Sequence, residues 1–242
     1  HLDVDPTVGK CGAAPAAPAT VPGFWTEELA TSSLGDAADP SAPVRLPAGR
    51  SGHTVTRVRD KVLVFGGEKA SSGCLSTHGE ELLQPDLATM KWSAPAVSGT
   101  QPDLSGHSST LVMLPRGNGE SQWHNLSATP NAPHLFVLGG KAKDCATGTS
   151  SYSSALHVLN VESGAWSRKS AQADFVDNDA LDSWDGREGH SATLVGAYIY
   201  VFGGVNDESG FTGKNDLLRL GVRPEAESGK FVWTILQRGG DA

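Results

Sequence analysis

Gly52-His53-Thr54-Val55-Thr56, followed within a few residues by Lys61-Val62-Leu63-Val64-Phe65-Gly66-Gly67, is the stretch that decides the fold. The first segment alternates and the second is almost wholly apolar. Together they read as two strands, the second buried on both sides. The closing Gly66 and Gly67 permit a turn with positive φ and close backbone approach. Further on, Leu87-Ala88-Thr89-Met90-Lys91-Trp92 leads into a strand with a large apolar anchor.

The pattern occurs three times. Its second copy is Gly106-His107-Ser108-Ser109-Thr110, then Leu135-Phe136-Val137-Leu138-Gly139-Gly140, then Leu156-His157-Val158-Leu159-Asn160 and Trp166. Its third is Gly189-His190-Ser191-Ala192-Thr193, then Tyr198-Ile199-Tyr200-Val201-Phe202-Gly203-Gly204, then Asn215-Asp216-Leu217-Leu218-Arg219-Leu220 and Trp233. His53 precedes Gly66 by 13 residues, and His190 precedes Gly203 by the same 13. The second copy alone carries an insertion, over 115–134, which holds Trp123, His124 and His134. A repeat of this length that cannot bury its own faces needs neighbours of its kind.

These three copies resemble the kelch repeat of β-propellers, over about residues 49–236. The resemblance implies an all-β fold of four-stranded antiparallel blades, with strands a to d running outward from a central channel. Blades are expected over 49–97, 104–170 and 187–236. Residues 1–30 are expected to supply strands c and d of an incomplete blade, through His1–Gly9 and Phe24–Leu29, and 237–242 a connection to a missing one. A divergent N-terminal tail is the alternative for 1–30. About three and a half blades do not close a ring, so the chain reads as a fragment of a longer kelch protein. Gly52, His53, Gly66, Gly67, Trp92, Gly106, His107, Gly139, Gly140, Trp166, Gly189, His190, Gly203, Gly204 and Trp233 are the motif positions, with structural roles.

Composition narrows the function. The 242 residues include 29 glycines and 14 prolines, a density of turn formers that disfavours a helical bundle. A net charge of −8 disfavours nucleic acid as the main partner. No apolar run approaches the length of a membrane span. Cys11, Cys74 and Cys145 are distant and odd in number, giving neither a disulfide framework nor a zinc site. The compartment this favours is the cytoplasm.

In a meander the b–c and d–a connections leave from one face, and here they are the longer ones. Long loops on a rigid scaffold carry recognition, so this is the expected working face. Arg50 and Arg187 stand three residues before a motif histidine, where arginines of some kelch proteins contact acidic peptides. Leu104 breaks the series, and the competing reading pairs each arginine with a loop carbonyl or carboxylate. The acidic stretch Asp174, Phe175, Asp177, Asp179, Asp182, Trp184, Asp185 and Glu188 could attract a basic partner and offer aromatic anchors, against a simple solvated loop or a cation site.

The motif histidines recur at one place in successive blades. They are therefore expected to bond backbone within their own blade rather than converge on a metal. No GxSxG elbow, P-loop or HExxH pair is present. The resulting expectation is a non-catalytic interaction scaffold with no cofactor, part of a larger assembly of trafficking, cytoskeletal or ciliary type. The alternative is a kelch-type metalloenzyme or lyase whose active residues lie in absent blades.

Overall fold

The computed structural model describes residues 31–32, 47, 49–69, 82–89, 91–116, 131–143, 147, 149–169, 171–173, 184–206, 213–224 and 229–238. Every regular element among them is a β-strand. No helix among the described residues is long and apolar enough to cross a membrane.

The first blade is built from β3 (Thr54–Val58), β4 (Lys61–Phe65), β6 (Leu82–Pro85) and β7 (Lys91–Ser93), paired antiparallel in that order. Beside it, β2 (Arg50–Ser51) pairs with β5 (Glu68–Lys69), joining the entry to strand a with the exit from strand b. β8 (Ser108–Pro115), β9 (Asn131–Leu138), β12 (Leu156–Asn160) and β13 (Ala165–Lys169) form the second blade. The third consists of β15 (Ser191–Val195), β16 (Tyr198–Phe202), β17 (Leu217–Gly221) and β18 (Phe231–Gln237). The fold is thus all-β, with four-stranded antiparallel sheets that do not close on themselves.

Strand b of the middle blade shows why its sequence carries no polar alternation. Leu135 and Val137 pack with Phe65 and Leu63 of the first blade, while Phe136 and Leu138 pack with Ile199 and Val201 of the third. All four are fully buried. Side chains alternate sides along a strand. A strand sandwiched between two blades must therefore be apolar on both.

Three departures from the sequence reading concern connections. Of the insertion over 115–134, Asn131 to His134 belong to β9, because the β8–β9 ladder continues to Pro115↔Asn131. His134 is consequently a buried strand residue, its Nδ1 bonded to the Ala132 carbonyl at 3.0 Å. Trp123 and His124 lie outside the described residues. Next, the connection after β9 contains a short hairpin, β10 (Lys141–Lys143) with β11 (Ser150–Tyr152). Lastly, d–a connections contribute parallel strands to the outer edge of the following blade. β1 (Thr31–Ser32) joins β7, and β14 (Ala171–Ala173) joins β18. Between the first two blades Ser98 bridges Ala165 in the same parallel sense. An added strand protects an outer edge that would otherwise be open for pairing.

Candidate functional site: the blade junctions and the loop rim

His107, His190 and the glycines around them assemble at the junctions between blades. The Nε2 atom of His107 lies 3.0 Å from the Thr54 hydroxyl, and that of His190 lies 2.8 Å from the Ser108 hydroxyl. Each hydroxyl belongs to the preceding blade. The histidines therefore fasten one blade to the next, where the sequence suggested bonds confined to one blade. The hydroxyl residue follows the motif histidine in all three copies, as Thr54, Ser108 and Ser191. That was a legible signal of the pairing.

Backbone bonds repeat beside each histidine. Gly67 N donates to Leu104 O and Gly140 N to Arg187 O, at 3.0 and 2.7 Å. Gly106 N donates to Gly52 O and Gly189 N to Gly106 O, both at 2.8 Å. These approaches need the motif glycines. A Cβ on Gly66 would meet His107 Cε1 at 2.6 Å, and one on Gly139 would meet His190 Cε1 at the same distance. The tryptophans complete the packing. Trp166 sits 5.0 Å from the Phe65 ring of the preceding blade, and Trp233 stacks on Trp184 at 4.7 Å and 12°. Trp92 is half-buried.

The two arginines have inward-facing roles. Arg50 donates from Nη1 to Gly66 O at 3.1 Å, and Arg187 donates to the equivalent Gly203 O at 3.2 Å. Arg187 is 1% exposed. Its guanidinium also forms a two-pronged pair with Asp216, meets Asp185 at 2.9 Å, and lies 5.0 Å over the Trp184 ring. Asp185 in turn accepts from Lys214 and, at 2.7 Å, from Asn206. So Arg187, Trp184 and Asp185 form one internal cage, with Arg187 and Trp184 buried. Asp174, Phe175, Asp177, Asp179 and Asp182 lie outside the described residues.

Glu188 sits on the same rim, bridged through its backbone to Val205. Burial, together with nearby Glu68 and against the pull of Lys141, raises its carboxyl above the ordinary value. On the opposite face Glu162 accepts from Arg59 of the first blade and from Arg116 of the second, tying their ends together. Among the described residues no three His, Cys, Asp or Glu side chains gather as metal ligands.

Comparison with known proteins places this geometry. Kelch domain-containing protein 3 of Bos taurus is 30% identical over 185 residues, covering 75% of this chain and 38% of that one. The chain belongs to the kelch-repeat family. The Homo sapiens Kelch domain-containing protein 3 is 28% identical over 180 residues, 73% of the kelch chain and 37% of its own length. Acyl-CoA-binding domain-containing protein 5 of Arabidopsis thaliana is 26% identical over 164 residues, 68% of the kelch chain and 20% of its own. No protein-family profile matches. The kelch chain spans under two fifths of the length of the curated relatives it matches.

Burial gives the junction histidines of this kelch chain their charge state. It pushes His107 down to about 4, with the Leu104 backbone acting in the opposite direction. It pushes His190 down to about 4 as well, helped by the Arg187 charge. Both rings are neutral at pH 7. Since the unfolded chain takes up these protons near pH 6.5 and the folded chain only near 4, stability falls as pH drops through that window. Every tenfold weakening of proton affinity on folding corresponds to about 1.4 kcal/mol. Chemical denaturation at pH 7.5 and pH 5 is expected to show a loss of several kcal/mol at the lower pH. His107→Gln should shrink that loss and leave the share of His190, together with those of His134 and His157, which burial also lowers.

Proposed function

We propose that the chain is a non-catalytic protein–protein interaction scaffold, presenting its long b–c and d–a connections on one face. One observation carries this reading. His107 and His190 are engaged at blade junctions and Arg187 within the third blade, and all three are buried. A scaffold of this kind works by holding loops rigidly, with affinity from a few anchors and long-range charge steering the approach.

The acidic stretch before Trp184, with the −8 net charge behind it, favours a basic protein partner. The partner surface is the segment 174–182 together with the rim that bears Arg50, Lys141 and Lys214, and it makes this chain part of a larger assembly. A cytoplasmic, cytoskeletal or ciliary setting accords with that role. Crosslinking mass spectrometry on protein from its native source tests the reading. Recurrent links from Lys141 or Lys214 to one stoichiometric partner are expected. A free monomer without such links would remove the scaffold claim. With the partner in hand, Asp177→Asn, Asp179→Asn and Asp182→Asn together should slow association and flatten its salt dependence. An unchanged rate would take the acidic stretch out of the surface.

A further inference from the structure

The third blade carries a recess at the end where its a–b and c–d turns lie, away from the loop rim. Tyr198 of β16, Arg219 and Gly221 of β17, Arg223 just beyond, and Val232 and Thr234 of β18 line it, around a volume of about 270 Å³. Arg219 and Gly221, two apart along β17, share one side of the sheet, and Arg223 closes the same recess. The glycine keeps the floor open between the two cations. A Cβ on Gly221 would meet only the Arg223 and Val232 carbonyls, at 3.7 and 3.9 Å.

The Nε of Arg219 and the Nε of Arg223 are each buried without a hydrogen-bond partner among the described residues. The Arg219 guanidinium lies 4.4 Å over the Tyr198 ring, and no carboxylate among the described residues lines the recess. Arg187 is the contrast, its cation held by Asp185 and Asp216. Buried guanidinium donors call for acceptors, and a carboxylate matches the fork with two oxygens. Phosphate sites commonly add backbone N–H donors at a helix N-terminus or nest. Here the strands around the recess are paired with one another, which leaves side-chain donors to do the binding.

We infer that this recess binds a small dicarboxylate, with one carboxylate on each guanidinium and the aliphatic body against Val232 and the Tyr198 ring. Two cations select a dianion. Donors supplied by side chains select carboxylate over phosphate, and the volume selects a small molecule over a length of chain. The recess is remote from the loop rim, so the inference stands whether or not that rim binds a partner.

Glutarate is the probe. In full-length protein carrying isotope-labelled arginine, glutarate titrated at constant ionic strength should shift the Nε–H signals of Arg219 and Arg223 saturably and leave that of Arg187 in place. Arg219→Gln and Arg223→Gln should each weaken binding about tenfold or more. Gly221→Leu fills the recess while keeping both arginines, and it should abolish the response, with an unmoved Arg187 signal reporting an intact blade. No saturable shift in the unaltered protein would overturn the inference. Butyrate bound as tightly as glutarate would refute the two-point seat, and inorganic phosphate bound more tightly would refute the carboxylate. A response seen only after Glu225→Gln and Glu227→Gln would give the recess to the chain's own carboxylates and equally overturn the proposal.

Discussion

Arg187→Leu is expected to destabilise the chain by about 3 kcal/mol, the low end for breaking a buried pair from one side. The substitution removes the donors that hold Asp216 and Asp185 and the cation above Trp184. The value sits at the low end because Asp185 and Asp216 keep part of their surface in water and Lys214 stays on Asp185. The second blade shows how the site can do without charge. It carries Leu104 where the third has Arg187, and Ala155 where the third has Asp216. Arg187→Leu combined with Asp216→Ala copies that solution and should recover at least half of the loss, because no orphaned carboxylate is left at position 216. Denaturant titration of the two single variants and the double variant reads this directly. A double variant that loses the sum of the singles would show that the cage is not a coupled unit.

Acid exposes the same cage. Burial works to raise the Asp185 carboxyl, yet Lys214 and Arg187 outweigh it and hold the group below its ordinary value. A depressed carboxylate adds stability above its unfolded pKa and surrenders it as pH falls through the folded one. This loss begins below the window in which the histidines act, so the two effects separate along the pH axis.

The motif glycines give the second large effect, and an unequal one. Gly139 has φ 64°, and a Cβ there would strike the Arg187 carbonyl and His190 Cε1. Gly203 has φ 71° but meets only Lys214 O at ordinary contact distance among the described residues. Both alanine variants carry the left-handed backbone penalty of about 1–2 kcal/mol. Gly139→Ala adds overpacking of about 1–3 kcal/mol, since backbone on the far side cannot retreat. Gly139→Ala should therefore be the more damaging by at least that overpacking term, although both glycines occupy the same motif position. Thermal and denaturant unfolding of the two variants decides it. Equal losses would contradict the junction geometry.

Much of the architecture was legible because the repeat is in phase. The Gly-Gly pairs, the apolar b strands and the tryptophans each report one geometric need, and three copies remove ambiguity. The fifth strands were not legible. Ser98 and Ala171–Ala173 pair through backbone alone, and backbone pairing leaves no mark on side-chain pattern. The inward role of Arg187 was half legible. Its offset from His190 placed it at the strand entry, but Asp216 lies 29 residues away and only the fold brings the two together. The hydroxyls of Thr54 and Ser108 were visible in every copy. Their partners sit one whole blade later, a separation that reading each repeat by itself overlooks.

That His107 and His190 are neutral posts between blades is the centre of this account. Following the imidazole resonances of His107 and His190 by NMR from pH 8 to pH 4 tests it most directly, with His107→Gln and His190→Gln assigning the signals. Both rings should remain neutral down to about pH 5 and begin to protonate near 4, as their burial requires. Titration of either ring near its ordinary value, or displacement of its signals by added zinc or copper at pH 7, would contradict the account.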